Sequence, residues 1–242
     1  MIRPTYQLLV LLVFSLFITS CDVTGQNHVR GSGNVEKEER PVGEFTKLSV
    51  KGSMDVYLAQ GPAQAAVIEA EDNILPLIEL VKEDDELIVR LKRHTSVSTR
   101  RAMKVYLTTP EIEGVYLAGS GNIKLQNKFS NNSQVKLKLS GSGDIEGELN
   151  SPEVDASISG SGDITLRGET RELDIDIAGS GNFKGSELLS ENADIKIAGS
   201  GDADVHASVN LKAKIAGSGD VHYKGTPQVS STVAGSGSVK KD

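Results

Sequence analysis

The 242-residue chain has 26 basic and 33 acidic side chains, a formal charge of −7 and no long basic run. That speaks against nucleic acid as a partner, because such binding draws on many Lys/Arg–phosphate contacts. Aromatic residues make up 4% and Trp is absent, which speaks against a core of large rings and predicts one filled by small and β-branched residues.

Residues 1–20 read as a lipoprotein signal peptide. Arg3 supplies the positive start, and Leu8 to Ile18 form an apolar stretch too short to span a bilayer. The stretch ends in Ile18-Thr19-Ser20-Cys21, the small-residue pattern of a bacterial lipobox, in which the cysteine sulfur carries the diacylglycerol. Cys21 is the only cysteine, so a disulfide framework is not expected. The alternative is an ordinary signal peptide with a chance cysteine nearby. Residues 21–43, polar and charged, read as the lipidated Cys followed by a flexible tether. Only Asp22 is acidic among the residues directly after Cys21, so the acidic cluster that marks surface export in some bacterial lipoproteins is missing. The expected location is therefore the outer membrane, lipid-anchored, with the periplasmic side favoured over the surface.

Residues 44–110 form a less regular N-terminal part. Phe45–Leu58 and Ala66–Ala70 read as strands, Leu77–Val81 and Leu87–Leu91 as a hairpin around the acidic turn 82–86, and Ala102–Leu107 as the strand leading into the repeats. Residues 111–240 then repeat. Gly-Ser-Gly begins at Gly31, Gly119, Gly141, Gly160, Gly179, Gly199, Gly217 and Gly235, and the last seven are spaced by 22, 19, 19, 20, 18 and 18 residues. The closing glycines of these seven are Gly121, Gly143, Gly162, Gly181, Gly201, Gly219 and Gly237. Gly52-Ser53-Met54-Asp55-Val56 is a degenerate copy.

Apolar residues alternate before each triplet, as in Ile175/Ile177 and Ile195/Ile197, which is the period of a strand. A parallel β-helix coil of about three short strands fits rungs of about 18–22 residues, stacked about 4.8 Å apart. Ile123, Ile145, Ile164, Phe183, Ala203, Val221 and Val239 then form one inward column. The glycines become structural turns where positive φ or close approach between coils is needed. The Ala or Ser directly before each triplet points to a tight corner. Propeller blades take about twice this period, and the 3.6-residue pattern of helical repeats is lacking.

Phe45 through Ser53-Met54-Asp55-Val56, the segment Glu69-Ala70-Glu71-Asp72-Asn73-Ile74-Leu75, the hairpin and the GSGD/GSGN series resemble the head GIN domain family of "putative auto-transporter adhesins" over about residues 44–240. The resemblance implies an all-β, right-handed parallel β-helix-like solenoid and placement in the cell envelope. It supplies no catalytic residues to carry across.

The Asx residues behind the corners (Asp144, Asp163, Asn182, Asp202 and Asp220) are turn caps on the plain reading, each bonding its own turn. On the sharper reading Asp144, Asp163, Asp202 and Asp220 are candidate cation ligands, but each corner offers one carboxylate and the nonapeptide of calcium-binding β-rolls is missing. Arg90, Lys92, Arg93, His94, Arg100, Arg101 and Lys104 are either a solvated strand edge and loop or a site for an anionic glycan or phosphate. The histidines His28, His94, His206 and His222 are scattered, without the spacing of a metal site. No nucleophile elbow or dinucleotide fingerprint occurs, and no cofactor is expected. The reading is a non-enzymatic envelope lipoprotein with the membrane as partner through its lipid and an envelope glycan or protein as ligand. A structural spacer is the rival, and a polysaccharide-cleaving β-helix enzyme a further alternative.

Overall fold

The computed structural model describes residues 27–242. They fold almost wholly into strands. β1 (Asn27–Arg30) and β2 (Val35–Arg40) precede β3 (Lys47–Gly52) and β4 (Asp55–Gln60). After β5 (Ala66–Glu71), a 3-10 turn over Leu75–Leu77 leads into β6 (Ile78–Glu83), β7 (Glu86–Leu91), β8 (Thr95–Ser98) and β9 (Lys104–Thr109). The repeat region holds β10 (Gly114–Gly119), β11 (Asn122–Ser130), β12 (Val135–Gly141), β13 (Asp144–Gly160), β14 (Ile164–Gly179) and β15 (Phe183–Gly199). It closes with β16 (Ala203–Gly217), β17 (Val221–Lys224), β18 (Gln228–Gly235) and β19 (Val239–Lys241). Among the described residues no helix is long and apolar enough to cross a membrane.

The repeat closes one coil per triplet, as its spacing predicts. Gly52, Gly119, Gly141, Gly160, Gly179, Gly199, Gly217 and Gly235 pair in one parallel register, each with its counterpart in the next coil. The inward column also holds. Ile123 pairs with Ile145, Ile145 with Ile164, Ile164 with Phe183, and so on to Val239; all but Val239 are buried. Strand alternation puts a second buried stack beside it, from Leu48/Val50 through Ile175/Ile177 to Ala213/Ile215. The core is mainly Ile, Leu, Val and Ala, with Phe45, Phe129 and Phe183 as its only buried rings among the described residues.

Three expectations are corrected. Three short strands per coil become a single bent strand of 15–17 residues in β13 to β16, because backbone ladders to the neighbouring coils run on through the bends, with register shifts at Thr165/Arg167, Gly185/Leu189 and Ser190/Asn192. The Phe45–Leu58 strand is split into β3 and β4 by the corner at Gly52, whose φ is +115°. The flexible tether does not extend over residues 27–43. There β1 pairs in parallel with β8, and β2 pairs antiparallel with β5, so backbone ladders hold this part of the chain. Gly31-Ser32-Gly33 lies outside the glycine column, in the link between β1 and β2, where Gly31 N–H donates to the Ser98 carbonyl.

The N-terminal part caps the solenoid with its coils out of chain order. β3 is bonded to β7 on one side and β10 on the other, and β4 likewise to β9 and β11. The coil of residues 86–109 is therefore stacked outside that of residues 47–60. The antiparallel pairs β6–β7, β2–β5 and β5–β9 return the chain to that end. In the outermost coil Arg90 matches Lys51 and Lys104 matches Asp55, so the place of the glycine corner is taken by a loop over residues 92–103 that carries β8.

Candidate functional site

The corner edge of the solenoid gathers the residues singled out from the sequence. At Gly160, φ is +127° and a Cβ would stand 2.3 Å from the carbonyl oxygen of Gly141. At Gly162 a Cβ would stand 1.9 Å from the oxygen of Gly143. The space is closed because both Ser161 N–H and Gly162 N–H donate to the Gly141 carbonyl, at 2.9 and 3.2 Å, and the same pair of bonds recurs along the column.

Beside this rail runs an Asx ladder. The expectation that each side chain caps its own turn is corrected, since the bonds cross between coils. Asp144 Oδ1 accepts the N–H of Asp163 at 3.0 Å, Asp163 Oδ1 that of Asn182 at 3.0 Å, Asn182 Oδ1 that of Asp202 at 3.0 Å, and Asp202 Oδ1 that of Asp220 at 2.7 Å. Asp220 Oδ1 in turn accepts Ser238 Oγ–H at 2.6 Å. Asn122 joins the ladder to the N-terminal coils, its Nδ2 donating to Asp55 Oδ1 at 2.8 Å.

Lys184 Nζ stands 2.6 Å from Asp163 Oδ2. Burial pushes the Asp163 carboxyl up, but the bonds from Lys184 and Asn182 together outweigh it and hold the group below its ordinary range. The Ser238 hydroxyl, above all, lowers Asp220. The candidate cation ligands thus have one oxygen each committed to the next coil, and no three His, Cys, Asp or Glu side chains converge among the described residues. His206 pairs with Lys224 and His222 with Asp204, so the two histidines sit in different columns.

Outside the corner, the register lines up features that the sequence reading missed. The Ala or Ser before each triplet leads into the tight corner, but its own side chain faces outward. Ser159, Ala178, Ala198, Ala216 and Ala234 are all exposed and form a continuous small-residue strip on the outer face. The middle serines (Ser142, Ser161, Ser180, Ser200 and Ser218) make an exposed ridge of hydroxyls beside it. On the strip's other side stands the column Ser157, Asp176, Lys196 and Lys214, and together these residues border a shallow groove. One column further out, Asp155, Asp174 and Asp194 are stacked on successive coils, and Lys212 Nζ is 2.6 Å from Asp194 Oδ2. Burial and then the Asp194 and Asp155 charges push the Asp174 carboxyl up. The signal for the strip was the invariance of the small residue before each triplet, read as backbone geometry rather than as surface.

The basic stretch divides. Arg90 pairs with Glu79 at 3.1 Å and Lys104 with Glu69 at 3.4 Å, whereas Lys92, Arg93, His94, Arg100 and Arg101 are exposed on the 92–103 loop. Glu71, 1% exposed, anchors that loop. Its Oε1 accepts the N–H groups of Arg100 and Arg101 at 2.7 and 3.0 Å, and its Oε2 occupies the space a Gly31 side chain would need. Cys21 lies outside the described residues.

Three solved structures share the fold. A putative adhesin from Bacteroides fragilis is 24% identical, with TM-score 0.82, 88% of this chain and 100% of that chain covered. A structure titled a putative lipid binding protein from Parabacteroides distasonis is 23% identical, with TM-score 0.73 and coverages of 89% and 100%. A putative adhesin from Parabacteroides merdae is 25% identical, with TM-score 0.70 and coverages of 89% and 99%. No curated protein matches the chain. The family model described as "Putative auto-transporter adhesin, head GIN domain" matches residues 44–227, the whole run of coils from Lys47 through Lys224, and the chain belongs to that family.

Proposed function

We propose that the protein is a non-enzymatic cell-envelope lipoprotein, anchored through Cys21, whose outer solenoid face is an adhesion platform for an extended envelope polymer. The observation that carries this reading is the periodic surface itself. Serine ridge, alanine strip and charged column each repeat once per coil, at the roughly 4.8 Å spacing of paired strands. A linear glycan or an extended peptide can satisfy such a surface by repetition, with affinity summed over coils. The family description as adhesin agrees with it. The inner faces of the coils are filled by core side chains, and the ladder carboxylates are engaged with backbone N–H groups, which favours binding over catalysis.

Glycan-array and whole-cell binding of the wild-type protein, compared with the double variant Ala178→Glu/Ala198→Glu, tests the reading. Saturable binding that the double variant loses supports it. Binding to no member of a broad panel turns the choice to the spacer, and release of reducing ends or unsaturated products from an envelope polysaccharide would establish an enzyme instead.

A further inference from the structure

The outermost coil carries a charge pattern opposed to that of the whole chain. Arg30, Lys92, Arg93, Arg100 and Arg101 are all exposed, and none is in an ion pair among the described residues. β1 holds them together. Arg30 matches Ser98, Asn27 matches Thr95, and Gly31 N–H bonds Ser98, so Arg30 lies beside the Arg100–Arg101 end of the loop and the start of β1 beside its Lys92–His94 end. Arg100 and Arg101 border one open depression with Ser32, Gly33, Asn34 and Asp72.

Two carboxylates stand in this neighbourhood, each accepting from neutral groups and keeping its charge, so the five cations remain in excess. Asp72 accepts Ser32 Oγ–H at 2.5 Å and Asn73 N–H at 2.6 Å, and Glu71 holds the loop backbone from beneath. Glu36 and Glu39 belong to β2, which runs away from the depression as Val35 pairs with Glu71 and Arg40 with Ala66. The acidic hairpin tip at Glu83–Glu86 is at the far end of β7 from Lys92. Five cations thus face outward at one end of a protein whose net charge is −7.

We propose that this basic rim of the first coil is a docking surface for an anionic phospholipid bilayer. The choice of a bilayer follows from chain reach. Asn27, the first residue of β1, is six residues beyond Cys21. Six residues span at most about 20 Å when fully extended. An acyl chain on Cys21 would therefore keep the β1 end at most about 20 Å from the membrane, a reach that includes the ~8 Å over which surface charge acts at physiological ionic strength. The rim charges would then set how the solenoid stands, with this end at the headgroups and the far coils away from them. The reach argument rests on the lipid-anchor reading; the charge argument does not.

The experiment uses the full chain with Cys21→Ser, so that no acyl chain contributes. Co-sedimentation is measured with vesicles of phosphatidylcholine alone and of phosphatidylcholine mixed with phosphatidylglycerol. Arg3 and the apolar stretch Leu8 to Ile18 are common to parent and variants, so the change from parent to variant on the mixed vesicles is the reading. The expected result is preferential binding to the mixed vesicles, reduced about 100-fold by Arg93→Glu/Arg100→Glu/Arg101→Glu at roughly fivefold per cation removed. Lys128→Glu/Lys224→Glu/Lys241→Glu, the same charge change on exposed residues of other coils, is expected to stay within about twofold of the parent on the same basis. Equal binding to both vesicles, or equal losses in the two triple variants, overturns the proposal. So does arginine-dependent binding to a soluble sulfated polysaccharide without binding to vesicles. Metabolic labelling of the wild-type chain with palmitate separates the two readings: absence of label with vesicle binding retained overturns the anchor and supports the docking surface.

Discussion

Alanine substitutions at three corner glycines separate the two reasons for having glycine there. At Gly52 φ is +115° and nothing lies within 4 Å of where a Cβ would stand, so Gly52→Ala meets backbone strain alone, about 1–3 kcal/mol. At Gly162 φ is not in the positive range, but the Cβ would stand 1.9 Å from the Gly143 oxygen. Gly162→Ala therefore pushes two coils apart without adding strain. Gly160→Ala meets both effects: φ of +127° and an oxygen at 2.3 Å that already accepts two N–H groups. Losing those two bonds adds about 1–3 kcal/mol, for a total of roughly 2–6 kcal/mol. Urea unfolding followed by circular dichroism measures the three variants against wild type. Because each coil leans on its neighbours, the loss at Gly160 is expected to spread along the stack and lower the midpoint of one broad transition. A Gly160→Ala protein no less stable than Gly52→Ala would refute the claim that inter-coil approach, rather than dihedral freedom, fixes glycine at the corner.

Phe183 is fully buried, and its Cε1 lies 2.3 Å from where a Gly185 Cβ would be, so Gly185→Ala is expected to destabilise in the wild type but much less in Phe183→Leu. Denaturant unfolding of both single variants and the double tests this, with a coupling of about 1 kcal/mol or more expected for side chains in contact. Asp163→Asn keeps an oxygen for the Asn182 N–H but loses the Lys184 pair, for a loss of about 0.5 kcal/mol. Asp163→Ala leaves that N–H without its acceptor and is expected to lose about 1–3 kcal/mol in the same measurement. Asp174 carries the opposite sign. Its folded pKa is raised, so the folded state binds the proton more tightly than the unfolded chain does, and ionisation above the unfolded value near 3.8 weakens the fold. Asp174→Asn is therefore expected to raise stability at pH 7 by a few tenths of a kcal/mol, a gain that disappears as pH falls towards 3.8. Asp163 and Asp220, with lowered pKa values, contribute stability above the unfolded value that is lost as pH falls through their folded values. A pH titration of the unfolding midpoint distinguishes the three.

What the sequence could disclose follows from where the information for each feature resides. In coils of 18–20 residues, a shift of one residue would turn Ile164, Ile175 and Ile177 outwards together, so the spacing of the triplets determines register directly. The order of the first two coils has no such marker. β3 can meet β7 or β10 with equal ease by pattern, as Leu48 and Val50 face Leu87 and Val89 on one side and Val115 and Leu117 on the other. Its placement between them depends on the antiparallel return through β5 and β6, a long-range pairing that local alternation does not encode. The Asx ladder was legible as residue type but not as bonding partner, because an Asx oxygen reaches its own turn and the next coil over similar distances, and only the stacked register makes the second available. The same stacking converts a local rule into a surface: small residues before the triplets leave room outside every coil at the same place, and five such places in register become a strip that no single coil possesses.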